Sequence, residues 1–215
     1  MSTAPCVLIE GLDLAGKTST CRTLVGELSP APDHRRNAFT VGNALYEAAD
    51  RLRRERGLSG TYLGHLYVTA MALDLAHYVP PKNVTIQEST IGLRSFAHYK
   101  ARGEEGLANA FAKLLDDNAH PRFTCSVVLT ASIPARRSRL EERRRQAPEE
   151  IADDDLAVIA APDTFRRMED ILIKEAIRRY RATVIDTSNM TAPEVAAAVR
   201  RLIEDALQGS APESL

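Results

Sequence analysis

One segment constrains the fold of this chain more than any other: residues 11–18, which read GLDLAGKT. The segment fits the pattern G-x-x-x-x-G-K-[ST], in which glycines let backbone N–H groups curl around phosphate oxygens. The apolar run CVLI before it predicts a buried strand, and the spacing of apolar residues from Thr18 to Leu28 predicts a helix. This order puts a helix N-terminus at the phosphates. The context therefore argues against a chance match in a glycine loop.

Two side chains of this segment have predicted roles of their own. The ammonium group of Lys17 neutralises phosphate charge, and the hydroxyl of Thr18 can hold Mg²⁺. We therefore predict ATP and Mg²⁺ as the ligands, with Lys17 also catalytic. The residues expected to contact them are Gly11, Asp13, Leu14, Ala15, Gly16, Lys17, Thr18 and Ser19.

The composition narrows the class of protein. The 215 residues suit a single domain, and 44% hydrophobic residues are enough for a core. With 28 basic and 29 acidic residues, the net charge of -1 gives no reason to expect nucleic acid or a membrane as a partner. Cys6, Cys21 and Cys125 show no metal-ligand spacing and indicate small buried residues in a reducing compartment. Residues 1–5 lack the features of a secretory signal, so we expect a cytoplasmic protein.

Strand and helix patterns alternate along the chain, which predicts an α/β fold. We expect three layers, α/β/α, around a mostly parallel sheet of about five strands. After the first strand, strands are predicted at 84–87, 126–129 and 183–185, whereas the proline-rich residues 29–37 are predicted to be a loop. Helices are predicted at 41–56, 62–79, 93–102, 105–118, 134–145, 164–180 and from 191 to about 207. Residues 1–208 should form one domain and 209–215 a flexible tail.

Glu88 follows the strand predicted at 84–87, at the edge where ligands of open α/β sheets bind. Its carboxylate could accept the proton of an attacking hydroxyl or hold Mg²⁺ through water. The alternative is a structural role, in which Glu88 caps the helix that follows. We favour the catalytic and metal-binding role, in which Glu88 and Thr18 serve the same ion.

Six arginines lie between residues 136 and 145, and guanidinium groups suit phosphate oxygens. We interpret residues 134–155 as a mobile lid that closes over ATP. Arg139 and Arg143 would share one helix face and are the candidates for a catalytic arginine. The alternative is a solvated helix paired with nearby glutamates and the acidic stretch 149–155, and most of the arginines fit that interpretation.

Asp13 lies inside the phosphate loop, where a carboxylate is unfavourable unless it faces away from the phosphates. One interpretation is that Asp13 accepts a hydrogen bond from a hydroxyl of the acceptor; the other is a turn residue that bonds its own backbone. Tyr62, Tyr67 and Tyr99 could stack on a base, although tyrosines at helical spacing more often belong to the core. The histidines show no convincing metal spacing.

The start of the chain resembles the thymidylate kinase family. Residues 9–13, IEGLD, leading into Gly16, Lys17 and Thr18, are similar to the start of that family, including the glutamate before the first glycine. Weaker similarities continue through residues 65–70 and 184–186 and the arginine-rich segment. The resemblance implies a P-loop kinase fold, ATP and Mg²⁺, a small-molecule acceptor and a homodimer through the early helices.

The chain departs from this family where the family holds the acceptor phosphate. The Asp-Arg-Tyr motif corresponds here to residues 88–90, EST, and the arginine of the acceptor helix corresponds to Ala72 or Leu73. Two charge-assisted contacts of about 1.5–3 kcal/mol each are thereby missing. This difference argues against dTMP as the acceptor.

Two other arginines could bind an acceptor instead. Arg35 or Arg36 is the counterpart of the family's Arg-Glu-Pro segment, and we select Arg36; Arg94 lies on a neighbouring turn. With Asp13 and Tyr67 they form the predicted acceptor site. We therefore predict an ATP-dependent small-molecule kinase whose acceptor is a nucleotide, a nucleoside or a related hydroxylated metabolite. The alternative is a catalytically inactive nucleotide-binding regulatory protein or switch.

Overall fold

The structure is a computed structural model that describes residues 4–55, 58–148, 151 and 153–208. Its strands, in chain order, are β1 (Cys6–Glu10), β2 (Asp33–Arg36), β3 (Thr85–Glu88), β4 (Cys125–Thr130) and β5 (Thr183–Asp186). Its helices are α1 (Lys17–Glu27), α2 (Ala44–Arg54), α3 (Gly60–Ala76), α4 (Ile91–Ala101), α5 (Glu105–Leu115), α6 (Ile133–Gln146), α7 (Asp153–Ala160), α8 (Pro162–Tyr180) and α9 (Ala192–Gln208).

The five strands of the described chain form one parallel sheet in the order β2-β3-β1-β4-β5. The central strand β1 pairs with β3 on one side and β4 on the other, and all of its residues are buried. Strands buried on both faces need continuous apolar runs, which is why CVLI and SVVL predict strands from the sequence. The predicted α/β fold around a parallel sheet is confirmed.

Helices cover both faces of the sheet. On one face, Leu24 of α1 and Val199 of α9 belong to the same apolar cluster as the inward side chains of β1 and β4. On the other face, Val128 of β4 packs in a cluster with Leu172 of α8. A third cluster around Phe111 of α5 joins α3 and α4 to the segment after β2. Since the strands are parallel, all their carboxyl ends meet at one edge, and that edge carries the candidate site.

Residues 29–37 were predicted as a loop, and this prediction is wrong for β2. Its sequence, DHRR, has no apolar alternation, yet the N–H of Asp33 donates to the carbonyl of Val84 at 2.8 Å. The N–H of Asn37 likewise donates to the carbonyl of Glu88 at 2.9 Å. An edge strand is held by backbone pairing with one neighbour, so tertiary pairing outweighs a weak local propensity here.

Two predicted helices have different ends in the structure. The helix predicted at 41–56 is α2, which begins at Ala44 because Asn43 is its N-cap and accepts from the N–H of Tyr46 at 3.0 Å. Val41, the first residue of the predicted range, lies before α2 and is 93% exposed. The helix predicted at 62–79 is α3, which ends at Ala76.

The other predicted helices lie where the sequence places them, within a few residues at each end. The predicted lid, residues 134–155, comprises most of α6 and the beginning of α7, with residues 149, 150 and 152 outside the described part of the chain. The predicted flexible tail, residues 209–215, also lies outside it. Within the described ranges, none of the helices has the length and apolar character needed to cross a membrane.

Candidate active site

The phosphate loop, residues 11–18, leaves β1 and enters α1 through backbone conformations that favour glycine. Gly11 has φ +143° and Gly16 has φ +97°. A Cβ atom on Gly11 would stand 2.2 Å from the carbonyl oxygen of Leu129 on β4, so glycine is required there. Leu14 also has a positive φ, 62°, and its side chain is buried. The loop is therefore packed tightly against the carboxyl end of the sheet.

The start of α1 is suited to an anion. Gly16 is the N-cap, and no described side chain caps the first turn. Helix N-termini carry partial positive charge and N–H donors that lack helical partners. The hydroxyl of Ser19 donates to the carbonyl of Gly16 at 2.8 Å and holds the turn in shape. The loop and this helix end together fit a phosphate group.

Lys17 is buried at the first position of α1, and its Nζ donates to the carbonyl of Leu12 at 3.0 Å. Burial, followed by repulsion from Arg94, lowers the pKa of Lys17 to about 8, although Asp13 and Glu10 act in the opposite direction. A phosphate beside Nζ would favour the charged form again. The environment of Lys17 is thus matched to an anionic ligand.

Glu88, the last residue of β3, is almost fully buried and has three polar neighbours. The hydroxyl of Thr18 donates to its Oε1 at 2.6 Å, Nε2 of His34 lies 3.0 Å from its Oε2, and Nε of Arg36 lies 3.7 Å from its Oε1. The structure thus brings Thr18, Glu88 and Arg36 together. The cap of α4 is Thr90, whose hydroxyl accepts from the N–H of Leu93 at 3.1 Å, so Glu88 does not have that structural role.

Glu10 is a site residue that spacing alone did not reveal. It is fully buried at the end of β1, and its carboxylate accepts from the N–H of Gly11 at 3.0 Å, the hydroxyl of Ser89 at 2.8 Å and the N–H of Thr90 at 2.9 Å. Burial raises the pKa of Glu10, against the attraction of Arg94 and then Lys17. Glu10 therefore joins the first residue of the phosphate loop to the start of α4. The sequence signal for it is the glutamate that precedes the first glycine.

Asp13 and Arg94 were both predicted to bind the acceptor, and they pair with each other. Nη2 of Arg94 donates to the two carboxylate oxygens of Asp13 at 3.0 and 2.8 Å. Burial would raise the pKa of Asp13, but Arg94 and then Lys17 outweigh it and hold the pKa at about 2. The pair links the phosphate loop to α4 across the carboxyl edge of the sheet.

Arg136 has the most buried guanidinium group of the arginine-rich segment. Its Nε donates to the carbonyl of Ala131 at 2.7 Å, Nη1 donates to the carbonyl of Asp13, and Nη2 donates to Glu169. The guanidinium carbon also lies 4.8 Å from the ring centre of Phe165, in cation–π geometry. Arg136 is thus part of the core beneath the phosphate loop and does not belong to the exposed face expected for most of these arginines.

Arg139, a predicted catalytic residue, forms hydrogen bonds to the phosphate loop and to Thr187. Its Nη1 donates to the carbonyl of Leu14 at 2.9 Å and to the hydroxyl of Thr187 at 3.0 Å, and its Nη2 donates to the carbonyl of Thr187 at 2.6 Å. Thr187 is itself buried and donates towards the carbonyl of Ala15 at 3.1 Å. Thr187, just after β5, is a residue that the sequence analysis missed because a lone threonine carries no motif.

Arg143, the other predicted catalytic arginine, lies nearer the solvent. Its Nη1 donates to Asp155 at 3.0 Å, and its side chain is 37% exposed. Further along α6, Arg145 donates to Glu142 at 2.5 Å. The interpretation of a solvated helix paired with acidic neighbours therefore describes the outer end of α6, whereas Arg136 and Arg139 are engaged with the phosphate loop.

A groove of about 230 Å³ lies beside the residues that contact Glu88. Its lining includes His34 and Arg36, which also contact Glu88, and Tyr46 and Glu47 of α2. A larger depression of about 580 Å³ lies along α2, but its lining includes neither His34 nor Arg36, the two groove residues that contact Glu88. We therefore regard the smaller groove as the acceptor side of the site.

Tyr67, predicted to bind the acceptor, does not line this groove but packs against Tyr46, which does. Its ring centre lies 6.1 Å from that of Tyr46, and Tyr46 accepts from the side-chain amide of Asn37 at 2.5 Å. Burial raises the pKa of Tyr67. Tyr99 stacks on Phe111 in the core, as expected of a tyrosine at helical spacing. The ring that lines the groove is therefore Tyr46, which the sequence analysis did not select.

The residues present fit both a nucleotide phosphate and Mg²⁺. The glycine geometry and the N-terminus of α1 form a cradle for phosphate oxygens. The hydroxyl of Thr18 and the carboxylate of Glu88, 2.6 Å apart, are oxygen donors of the kind that a hard divalent cation takes. Lys17 supplies a buried ammonium group.

No protein-family profile and no curated protein sequence matches the chain. Solved structures do match it. Thymidylate kinase from Candida albicans, described as having broad substrate specificity, is 15% identical with a TM-score of 0.67, and the match covers 95% of this chain and 93% of that chain. Deoxyadenosine kinase from M. mycoides, solved with dCMP and dCDP, is 13% identical with a TM-score of 0.61, covering 93% and 99%.

Thymidylate kinase from Ehrlichia chaffeensis is 15% identical with a TM-score of 0.60, covering 94% of this chain and all of that chain, 100%. Identities this low show a shared fold alone. The chain therefore has a thymidylate kinase-like P-loop kinase fold.

Proposed function

We propose that the chain is an ATP-dependent phosphotransferase that moves the γ-phosphoryl group of ATP to a small acceptor. The acceptor class is a nucleotide, a nucleoside or a related hydroxylated metabolite. Phosphoryl transfer depends on positioning and positive charge more than on covalent chemistry. The observation that carries the proposal is the hydrogen bond of 2.6 Å between Thr18 of the phosphate loop and Glu88 at the end of β3. It joins the nucleotide side of the site to a buried carboxylate at the acceptor groove.

Each part of the site has a role in this proposal. The phosphate-loop amides and Lys17 bind the phosphates of ATP. Thr18 and Glu88 would hold Mg²⁺, which when bound supplies charge neutralisation on the phosphate oxygens. Glu88 contacts His34 and Arg36, which line the groove, and we assign to its carboxylate the role of accepting a proton from the acceptor.

The two predicted catalytic arginines have different roles in this proposal. Arg139 makes three hydrogen bonds of 2.6–3.0 Å to the phosphate loop and Thr187, so we assign it to positioning the loop. Arg143 is 37% exposed and paired with Asp155, so its guanidinium group is not committed to the phosphate loop as that of Arg139 is. We therefore assign to Arg143 the stabilisation of the charge on the transferred group. Of the predicted lid, residues 134–155, the part beyond Arg139 would be the part that closes over ATP.

The acceptor groove supports a polar or anionic acceptor. It is lined by His34, Arg35 and Arg36, with Glu47 as its acidic residue among those described. The positions expected to carry a second phosphate-binding arginine, Ala72 and Leu73, have no charge. We therefore do not propose dTMP as the acceptor.

The test is a turnover assay with ATP, Mg²⁺ and a panel of nucleosides and nucleotides, following ADP. We expect ADP formation that depends on one acceptor. Lys17→Ala should lower turnover by about 10²–10³-fold or more, because it removes the buried charge at the phosphates. Lys113→Ala, at an exposed position of α5, is the matched control and should behave as the wild type.

Other outcomes have distinct meanings. ATP binding without turnover on any acceptor would favour the alternative of an inactive nucleotide-binding regulator. ADP formation without an acceptor would indicate an ATPase. Normal turnover by Lys17→Ala would contradict the mechanism itself. A homodimer through α2 and α3 stays a prediction, to be checked by light scattering.

A further inference from the structure

Three side chains with metal-binding atoms meet beside the candidate active site. They are Cys21 on α1, His34 on β2 and Glu88 on β3, and one ligand atom from each lies within 4.8 Å of the others. They come from three different elements, so no spacing in the sequence connects them. The sequence analysis treated Cys21 only as a small buried residue.

We propose that Cys21, His34 and Glu88 bind one Zn²⁺ ion, with the fourth coordination position left open. Zinc in proteins takes a thiolate, an imidazole and a carboxylate, and sites with three protein ligands keep one position for water or substrate. Cys21 supplies the thiolate, its proton leaving to solvent, while Nε2 of His34 and an oxygen of Glu88 supply the other two bonds.

The distances allow the ion to bind after small side-chain movements. Ligands of a tetrahedral zinc ion stand about 3.3–3.8 Å from one another. Nε2 of His34 and Oε2 of Glu88 are already 3.0 Å apart, and the full set lies within 4.8 Å. Cys21 and Glu88 are buried whereas His34 is exposed, so an ion would enter from the side of His34.

The ligand set selects against the hard cation of the phosphate loop. Mg²⁺ takes oxygen ligands, whereas thiolate and imidazole favour zinc and its neighbours. One thiolate and one carboxylate carry two negative charges, which balance the two positive charges of Zn²⁺. The zinc-loaded cluster is therefore neutral, although the positively charged Arg36 lies nearby. The site therefore differs in chemistry from the pair formed by Thr18 and Glu88, although both use Glu88.

Sharing Glu88 gives the site a consequence for activity. A Glu88 carboxylate bound to zinc no longer offers its full negative charge to a magnesium ion held beside Thr18. Zinc should therefore inhibit Mg²⁺-dependent turnover, and this consequence, unlike the binding itself, rests on the proposed function. The inhibition would be reversed by a zinc-selective chelator.

The test measures binding without nucleotide, by titrating the full chain with Zn²⁺ against a chromogenic chelator. We expect one ion per chain, with affinity at least about tenfold lower in Cys21→Ser and in His34→Gln. Cys125→Ser, a half-buried cysteine outside the cluster, and His77→Gln, an exposed histidine, are the matched controls and should bind as the wild type.

Cobalt provides a readout that does not need a variant to fold. Co²⁺ added to the wild-type chain should give a thiolate-to-metal charge-transfer band. Zn²⁺ should then displace the Co²⁺ and abolish the band. Absence of that band, or equal zinc affinity in Cys21→Ser and the wild type, would overturn the site. Zinc binding by a chain that neither binds nor uses ATP would leave the site standing and refute the proposed function. ATP turnover by a chain that binds no zinc would refute the zinc site and leave the proposed function standing.

Discussion

The two ends of the candidate site are built in different ways. The nucleotide end, formed by the phosphate loop, is held by glycine conformations, backbone hydrogen bonds and the buried guanidinium groups of Arg136 and Arg139. The acceptor end, formed by β2 and α2, lies at the edge of the sheet and presents half-exposed side chains such as His34 and Arg36. Phosphate binding is thus a property of backbone shape, whereas the choice of acceptor depends on a few replaceable side chains.

This difference explains where the chain resembles known kinases and where it departs from them. A Cβ on Gly11 would collide with Leu129, so the phosphate loop allows little variation. At the acceptor end, Ala72 is exposed and Leu73 half-buried, so neither position constrains the core strongly. Acceptor specificity can therefore change without loss of the fold.

The largest expected effect contrasts one arginine from each end. Arg136→Met should lower the free energy of unfolding by about 3–5 kcal/mol, because it leaves Glu169 and two carbonyl groups without their buried partner. Arg36→Met should change it by less than about 1 kcal/mol, since that side chain is 65% exposed and 3.7 Å from Glu88. Urea unfolding of both variants measures the contrast. Equal effects would show that the two ends do not differ as described.

A smaller effect concerns the ion pair that joins the nucleotide end to α4. We expect Asp13→Asn and Arg94→Met to show a coupling energy of about 1–2 kcal/mol in a double-mutant cycle, because Arg94 bonds both oxygens of Asp13. Unfolding free energy and ATP affinity are the two readouts. Asp163 and Arg166, an exposed pair on α8, form the matched cycle and should show no measurable coupling. Strictly additive effects at Asp13 and Arg94 would mean that the phosphate loop and α4 are independent.

The smallest effect uses pH to separate the nucleotide end from α4. Burial, followed by repulsion from Arg102 and Arg94, lowers the pKa of His98 on α4 to about 4. The unfolded chain therefore binds the extra proton first, and the stability that the neutral His98 provides falls as pH drops from about 6.5 to 4. Because His98 is partly exposed, we expect a loss of about 1–2 kcal/mol.

Asp13 should not contribute in that window. Its pKa is held at about 2, so its contribution to stability is lost only below its unfolded value of about 3.9. Urea unfolding at pH 7, 5.5 and 4.5 should therefore show a pH dependence that His98→Gln reduces and Asp13→Asn leaves in place. The opposite result would assign the acid sensitivity to the phosphate loop.

The sequence predicted the parts of the fold whose causes are local. Each of these signals lies within a few adjacent residues: the apolar runs of β1 and β4 and the glycine pattern of the phosphate loop. The strand β2 could not be predicted, because its residues Asp33–Arg36 have no apolar pattern and the strand depends on pairing with β3.

The candidate site was likewise predictable only where its signal lies in residues close together in the sequence. Glu88 could be selected because a buried strand leads directly to it. The role of Arg136 could not be read from a run of six arginines, since burial under the phosphate loop is decided by how α6 packs on α8. Thr187 and the meeting of Cys21 with His34 depend on residues far apart in the chain.

The carboxylate of Glu10 ties the first amide of the phosphate loop to the beginning of α4. If the proposed acceptor displaced that helix, Glu10 would transmit the displacement to the phosphate loop. Thermodynamic reciprocity then requires that nucleotide alter the affinity for acceptor by the same factor as acceptor alters the affinity for nucleotide. The enzyme we propose would consequently bind its two substrates in a cooperative manner, through a single acid side chain that touches neither of them.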